Sequence, residues 1–227
     1  MTKALVIFSG GQDSTTCLYW AKQRYDNVVA LSFDYGQRHA IELDSAARIC
    51  RLAGVEHEII NLGPVFAGLS PLTDKSQEVE SFKSVDELPD SGIATTFVPG
   101  RNILFLTVAA NRAYVIGADT MVIGVAQQDF GGYPDCREDF IKKMEAAINS
   151  GLEGDLKIET PLMHLSKKET VELAATMDGC MEALAHSTTC YRGQNPPCGD
   201  CHSCLLRKKG FDQAGIVDPI FSAARGK

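Results

Sequence analysis

Nowhere does this chain run through the roughly 18 consecutive apolar residues that a membrane-spanning helix requires, so no such span is expected. Positive charge is scarce as well. Lys and Arg number 22 against 29 Asp and Glu, a net charge of −7, which argues against a broad electrostatic grip on nucleic acid. The one basic cluster, Arg207-Lys208-Lys209, reads as a solvated helix face beside an acidic body. The N-terminus enters a strand without the charged and apolar stretches of an export signal, so a cytoplasmic location is expected. Internal repeats and low-complexity tracts are missing too. A length of 227 residues suits one domain with a small appendage and a substantial core.

What is present alternates. Ala4–Phe8, Val28–Phe33, Glu58–Asn61 and Thr120–Val125 are short, rich in β-branched or bulky residues, and read as strands. Between them, Ser14–Arg24, His39–Ala53 and Ile103–Ile116 carry helical spacing. In the second, Ile41, Ala46, Ile49, Leu52 and Ala53 form a stripe that Gly54 terminates. This order predicts an α/β fold, a parallel sheet with helices on both faces, in which ligands collect beyond the carboxyl ends of the strands. Thr160-Pro161-Leu162 closes a fifth strand, and Ser166 with Glu169 forms a capping box that opens a helix reaching about Met177. From Ser70 to Ser91 two prolines and six acidic residues sit among serines. That segment reads as a surface excursion, a passive loop by default and a lid or subunit contact as the functional alternative. Beyond Ala185 periodicity fades, so residues 1–185 are expected to form the main domain and 186–227 a small C-terminal region.

Cysteine usage explains that region. Of eight cysteines, Cys17, Cys50, Cys136 and Cys180 are scattered, whereas Cys190, Cys198, Cys201 and Cys204 crowd into fifteen positions. In a reducing compartment such crowding points to a metal. Four thiolates suit a closed, structural zinc site, with an iron–sulfur cluster as the competitor. The Cys-Pro that completes the bacterial ferredoxin pattern is replaced here by Leu205-Leu206-Arg207-Lys208. His202 lies inside the cluster as a bystander. Cys17 reads as core filler.

The chemistry-bearing segments follow the strands. After Phe8 comes Ser9-Gly10-Gly11-Gln12-Asp13-Ser14-Thr15, a glycine turn opening a helix. Backbone N–H groups and a helix N-terminus there form an anion cradle. No lysine follows to make it a Gly-Lys-Ser/Thr phosphate loop. Asp13 and Ser14 either cap the helix or, for Asp13, face Mg²⁺ beside phosphates. Asp34-Tyr35-Gly36-Gln37-Arg38-His39 follows the second strand, and Val98-Pro99-Gly100-Arg101-Asn102 precedes the third helix with a cation suited to a carboxylate or phosphate. The stretch from Gln127 through Asp129, Tyr133, Asp135, Cys136 and Arg137 is acidic, aromatic and amide-bearing, suited to pairing with and stacking on a heterocycle. Cys136 as a thioester nucleophile would need a base partner, and none is evident.

The first of these motifs, Ser-Gly-Gly-Gln-Asp-Ser, resembles the PP-loop of the ATP pyrophosphatase superfamily. With Asp-Tyr-Gly-Gln-Arg-His, Val-Pro-Gly-Arg-Asn, Tyr-Pro-Asp-Cys-Arg and Cys-x7-Cys-x2-Cys-x2-Cys in that order, nearly the whole chain resembles the 7-cyano-7-deazaguanine synthase family of the queuosine precursor pathway. The resemblance implies an adenine-nucleotide α-hydrolase-like, Rossmann-like sandwich with a C-terminal zinc region, in a homodimer. It implies a carbon–nitrogen ligase turning 7-carboxy-7-deazaguanine and ammonia into the nitrile with Mg-ATP, through adenylated carboxylate and amide. Phe8, Ser9, Gly10, Gly11, Gln12, Asp13, Ser14 and Thr15 would bind the nucleotide, with Ser9, Asp13, Ser14 and Arg101 catalytic. Tyr35, Arg38, Arg101, Gln127, Asp129, Tyr133, Asp135 and Arg137 would meet the deazapurine acid, Tyr133 and Asp135 reading its ring. A PP-loop enzyme acting on a tRNA base is the nearest alternative, although it would favour a basic surface. A non-catalytic nucleotide- or zinc-binding module is the other.

Overall fold

The computed structural model describes residues 1–38, 41–88, 92–127 and 133–222. Its centre is β1 (Lys3–Ile7), whose alternate side chains leave in opposite directions: Ala4, Val6 and Phe8 enter one apolar cluster, Leu5 and Ile7 the other. A strand apolar on both sides must be covered on both. The covering elements follow in chain order. They are α1 (Gln12–Lys22), β2 (Asn27–Asp34), α2 (Ile41–Ala53), β3 (Glu56–Asn61), α3 (Arg101–Ile116), β4 (Thr120–Ile123), α4 (Glu138–Leu152), β5 (Lys157–Glu159), α5 (Lys167–Ala175), α6 (Cys180–Leu184), α7 (His202–Ala214) and α8 (Pro219–Ser222). Short 3-10 turns occupy Val85–Glu87 and Pro134–Cys136.

All five strands are parallel, in the order β3-β2-β1-β4-β5. The chain thus winds outward from β1 through β2 and β3, then crosses back to β4. The carboxyl ends of β1 and β4, paired at Ile7 and Ile123, flank the switch point where such sheets bind ligands. One face is covered by α1, α2, α5, α6 and α7, and Cys17 is buried there as core. The other is covered by α3 and α4, through Leu106, Ala109, Ala113 and Ile141.

Several expected elements shift. β4 stops at Ile123, two residues before the expected Val125, and β5 ends just before the Thr160-Pro161-Leu162 block. The expected start of α2, at His39, lies outside the described residues. Ser166 accepts the Glu169 N–H and Glu169 reaches back to the Ser166 N–H, completing the capping box. Among the longer helices, two were not delimited by the sequence reading, and the short α6 and α8 were not foreseen either. α4 carries Phe140, Met144, Ile148 and Leu152 at four-residue intervals against the core. α7 runs thirteen residues through the region where periodicity fades. Its inward side holds His202, Cys204, Arg207 and Gly210 beside Leu205 and Phe211, so hydrophobic spacing cannot reveal it. A Cβ on Gly210 would stand 2.9 Å from both the Cβ and the carbonyl oxygen of Lys167, which is how closely α7 rests on the start of α5.

The excursion is tied down rather than loose. The Arg38 guanidinium donates to the carbonyls of Asp74 and Gln77, and its N–H to Leu72. Arg192 pairs with Asp200 and donates to the carbonyl of Val79 and the hydroxyl of Ser81. Val79 is buried among Cys190, Cys201 and Cys204.

Candidate active site

The glycine turn at the end of β1 is shaped by α2. Gly10 has φ +80°, and a Cβ there would lie 2.7 Å from the Ala46 nitrogen and the Glu42 carbonyl oxygen. No other residue fits in that conformation and space. Gly11 is the N-cap of α1 and contributes no side-chain cap. The loop hydroxyls bond one another instead: Ser9 Oγ lies 3.1 Å from Ser14 Oγ and accepts the Gly11 N–H at 3.3 Å, and Ser14 Oγ donates to the Gly11 carbonyl at 3.2 Å. Gln12 Nε2 and Thr15 Oγ1 are buried with no partner among the described residues. Gln12 lines the adjoining cleft, so an unmet donor stands beside a helix N-terminus, as an anion site requires.

That cleft holds about 1480 Å³ of free space, its solvent-open mouth included. Lys167, the first residue of α5, reaches across to it. Its Nζ sits 2.8 and 3.0 Å from the two Asp13 carboxylate oxygens, with 11% of its side chain exposed. The capping box marked where this helix begins, but only the packing of α5 against α1 and α7 aims Lys167 at the glycine turn. Sequence reasoning assigned it no role.

Arg101, the first residue of α3, forms the facing wall with Tyr35, Tyr133 and Tyr191. Burial works against its charge, yet Tyr35, Tyr133, Cys136 and Tyr191 around it outweigh that and raise its pKa. Burial also pushes all three phenols above their ordinary range, so at neutral pH they are uncharged hydrogen-bonding groups. Tyr133 Oη lies 2.6 Å from Thr96 Oγ1, and its ring leans on Phe97. The Cys136 thiol is pushed up to about 12 by burial, with Asp135 adding to the effect. It is therefore not the activated thiolate a thioester mechanism needs.

The remaining expected residues divide. Asp135 is buried and accepts the Asn102 N–H at 3.2 Å, while Asn102 Nδ2 donates to its carbonyl at 3.0 Å. Its carboxyl caps α3 and does not line the cleft. Burial raises its pKa, against the Asn102 hydrogen bond and the Arg101 charge, which lower it. Arg38 is spent on the excursion. Gln127 is exposed and accepts the Glu138 N–H at the start of α4, and Arg137 is the N-cap residue of the same helix. Asp129 lies outside the described residues.

The four clustered cysteines bring their sulfurs within 4.8 Å of one another, Cys190 to Cys198 at 3.5 Å and Cys198 to Cys204 at 3.8 Å. A tetrahedron with Zn–S bonds of about 2.3 Å has edges of about 3.8 Å, so one metal ion fits between them. A four-iron cubane would hold the thiolates farther apart. Hydrogen bonds from Cys201 and Cys204 drive the Cys190 thiol far below its usual range. Tyr191, His202 and Ser203, which line the cleft, are sequence neighbours of these cysteines, so the cysteine cluster supports one of its walls.

A five-stranded parallel sheet with a glycine- and hydroxyl-rich turn at its switch point, opening on a cleft that Lys167 and Arg101 also line, defines a Rossmann-like α/β protein of the nucleotide-binding kind. The model of the family described as "Queuosine biosynthesis protein QueC" matches residues 3–215, and the chain belongs to that family. It is 51% identical over 224 residues to the 7-cyano-7-deazaguanine synthase of Laribacter hongkongensis, covering 98% of this chain and 96% of that protein. To the enzyme of the same name from Chromobacterium violaceum it is 53% identical, covering 96% and 92%. A solved structure, of a predicted tRNA methyltransferase subunit from Methanocaldococcus jannaschii, superposes with a TM-score of 0.50 at 17% identity, over 77% of this chain and 75% of that one. It shares the fold.

Proposed function

We propose that this protein is an ATP-dependent carbon–nitrogen ligase that converts 7-carboxy-7-deazaguanine and ammonia into 7-cyano-7-deazaguanine for queuosine biosynthesis. The observation that carries this reading is the single cleft in which the glycine turn and Lys167 face Arg101 and three tyrosines. A carboxylate is a poor electrophile because oxide must leave. Its oxygen attacks the α-phosphorus of ATP, the bond to the bridging oxygen breaks, and pyrophosphate departs. Residues Phe8 to Thr15 cradle that pyrophosphate, and Lys167 meets the charge accumulating on it. Ammonia then attacks the acyl carbon, AMP leaves and a proton is lost, giving the amide. A second adenylation, on the amide oxygen, releases another pyrophosphate and one N-bound proton; loss of AMP and the remaining N-bound proton then leaves the nitrile.

Arg101 orients the substrate carboxylate, and Tyr35 and Tyr133 pack on the heterocycle. Asp135 acts through α3, whose N-terminal amide it caps, and Arg38, Gln127 and Arg137 brace the surrounding loops. Asp129 remains a proposed contact to the ring. Mg²⁺ arrives with ATP; Asp13 is a suitable oxygen ligand for it, with Lys167 turning from Asp13 to the phosphates. The four cysteines hold a structural zinc, which supplies folding free energy and leaves no open coordination position. The enzyme works in the reducing cytoplasm, where thiolates stay available. It pairs as a homodimer through exposed apolar residues such as Ile103, Tyr114 and Val115 of α3; light scattering at the mass of one chain would reject the dimer.

The test is a mass-resolved assay with the carboxylic acid, Mg-ATP and ammonium. Nitrile appearing with AMP supports the whole scheme; ATP turnover without nitrile redirects it to another acid. Two further outcomes are expected. Cys136→Ser should keep activity within about threefold, because a thiol with a pKa near 12 is not the nucleophile. Removing the metal with a chelator should raise KM for the carboxylic acid about tenfold as the wall carrying Tyr191 and His202 loosens. An unchanged KM in a verified metal-free sample would separate the metal from the site.

A further inference from the structure

A second cavity lies behind the glycine turn. Asp44 and Arg48 of α2 stand exposed at its mouth, Ser45 and His186 are half-buried within, and Thr188 and Thr189 form its back wall. The same two threonines line the active-site cleft. The partition is thin: the Thr188 N–H donates to the Gly10 carbonyl at 3.0 Å, and Thr188 Oγ1 lies 2.7 Å from Ser45 Oγ. A Cβ on Gly11 would come within 3.5 Å of the Thr188 carbonyl oxygen. One residue thus separates this cavity from the turn that would hold the nucleotide.

We propose that this rear cavity is the entry port for ammonia, with the His186 ring accepting the proton that ammonium must shed before ammonia passes Thr188 and Thr189 into the cleft. The inference rests on the ligase reading above. Once ATP and the acid fill the front of the cleft, a nucleophile arriving by the same mouth would bring water with it, and an acyl adenylate hydrolyses. A rear port lined by hydroxyls admits a small hydrogen-bonding molecule without opening the front. Ammonium presents only donors, and the port offers acceptors in sequence, from the Asp44 carboxylate to the hydroxyls of Ser45 and Thr188. The net charge of −7 draws cations toward the protein. Burial and the Arg48 charge hold the His186 pKa down, against the opposing pull of Glu182, so the neutral ring is available at pH 7. The proton balance is simple. Ammonium plus imidazole gives ammonia plus imidazolium, which returns its proton to solvent at the mouth.

The test measures KM separately for ammonium, ATP and the carboxylic acid in His186→Trp, which fills the port, and in His186→Gln, which keeps a polar group but cannot take the proton. In His186→Trp the ammonium KM should rise at least tenfold while the other two stay within about twofold, and excess ammonium should restore kcat. In His186→Gln the same defect should appear at pH 7 and shrink as alkaline pH makes free ammonia abundant. An unchanged ammonium KM in His186→Trp, or a parallel rise in all three constants, would overturn the port. Wild-type protein that makes no nitrile from ammonium would instead overturn the ligase reading, and the port with it.

Discussion

Lys167→Met is expected to lower kcat/KM by about 100- to 1000-fold, the cost of removing one preorganised charge from a developing anion, about 3–4 kcal/mol. Methionine keeps the unbranched stem that packs beneath Gly210, and Asp13, with 31% of its side chain exposed, can hydrate when its partner goes. The thermal midpoint should therefore move by only a few degrees. The loss should fall mainly on kcat, because pyrophosphate gains charge in the transition state and ATP in the ground state does not. A drop below about threefold, with the midpoint unchanged, would show that Lys167 merely pairs with Asp13.

Arg207→Met is expected to destabilise the fold by about 3–5 kcal/mol, the usual cost of stranding a buried charge. It lies in the basic cluster that the sequence suggested was solvated, yet its side chain is 4% exposed. The guanidinium donates Nε and Nη2 to the two Asp218 oxygens at 2.7 and 2.8 Å, Nη1 to Ser187 and Thr189, and Nη2 to the Leu184 carbonyl. Its five donated hydrogen bonds tie α6, the strip behind the glycine turn, α7 and α8 into one unit. At roughly 2–4 °C per kcal/mol for a chain of this size, the midpoint should fall by about 10 °C. Arg207→Met with Asp218→Leu should recover much of that loss, since neither charge is then left unpaired. Equal midpoints for the single and double variants would contradict this account.

These two residues show what was legible. The β1–turn–α1 unit could be read directly, because an apolar run, two glycines and their hydroxyl neighbours specify a local structure that needs no distant partner. The capping box of α5 was legible for the same reason. The apolar interval of α4 was present in the chain and went unread. α7 was different: its inward face carries His202, Cys204 of the cysteine cluster, Arg207 and Gly210 beside only Leu205 and Phe211, so periodicity had little to report.

The amino-acid sequence by itself determined the α/β class, the anion-cradling turn, the four-thiolate centre and the family resemblance, since each is encoded in local spacing. Only the tertiary structure decided which charged side chains reach the cleft. Arg38 and Arg101 both follow strand- or turn-forming segments, and both were expected to meet the substrate. The first is consumed by the carbonyls of Asp74 and Gln77, whereas the second faces three tyrosines. Asp135, chosen for its carboxylate, caps α3, and Lys167, passed over on a helix start, meets Asp13. Long side chains take the partners that packing brings near, and here those partners lie 33 to 154 positions away in the chain.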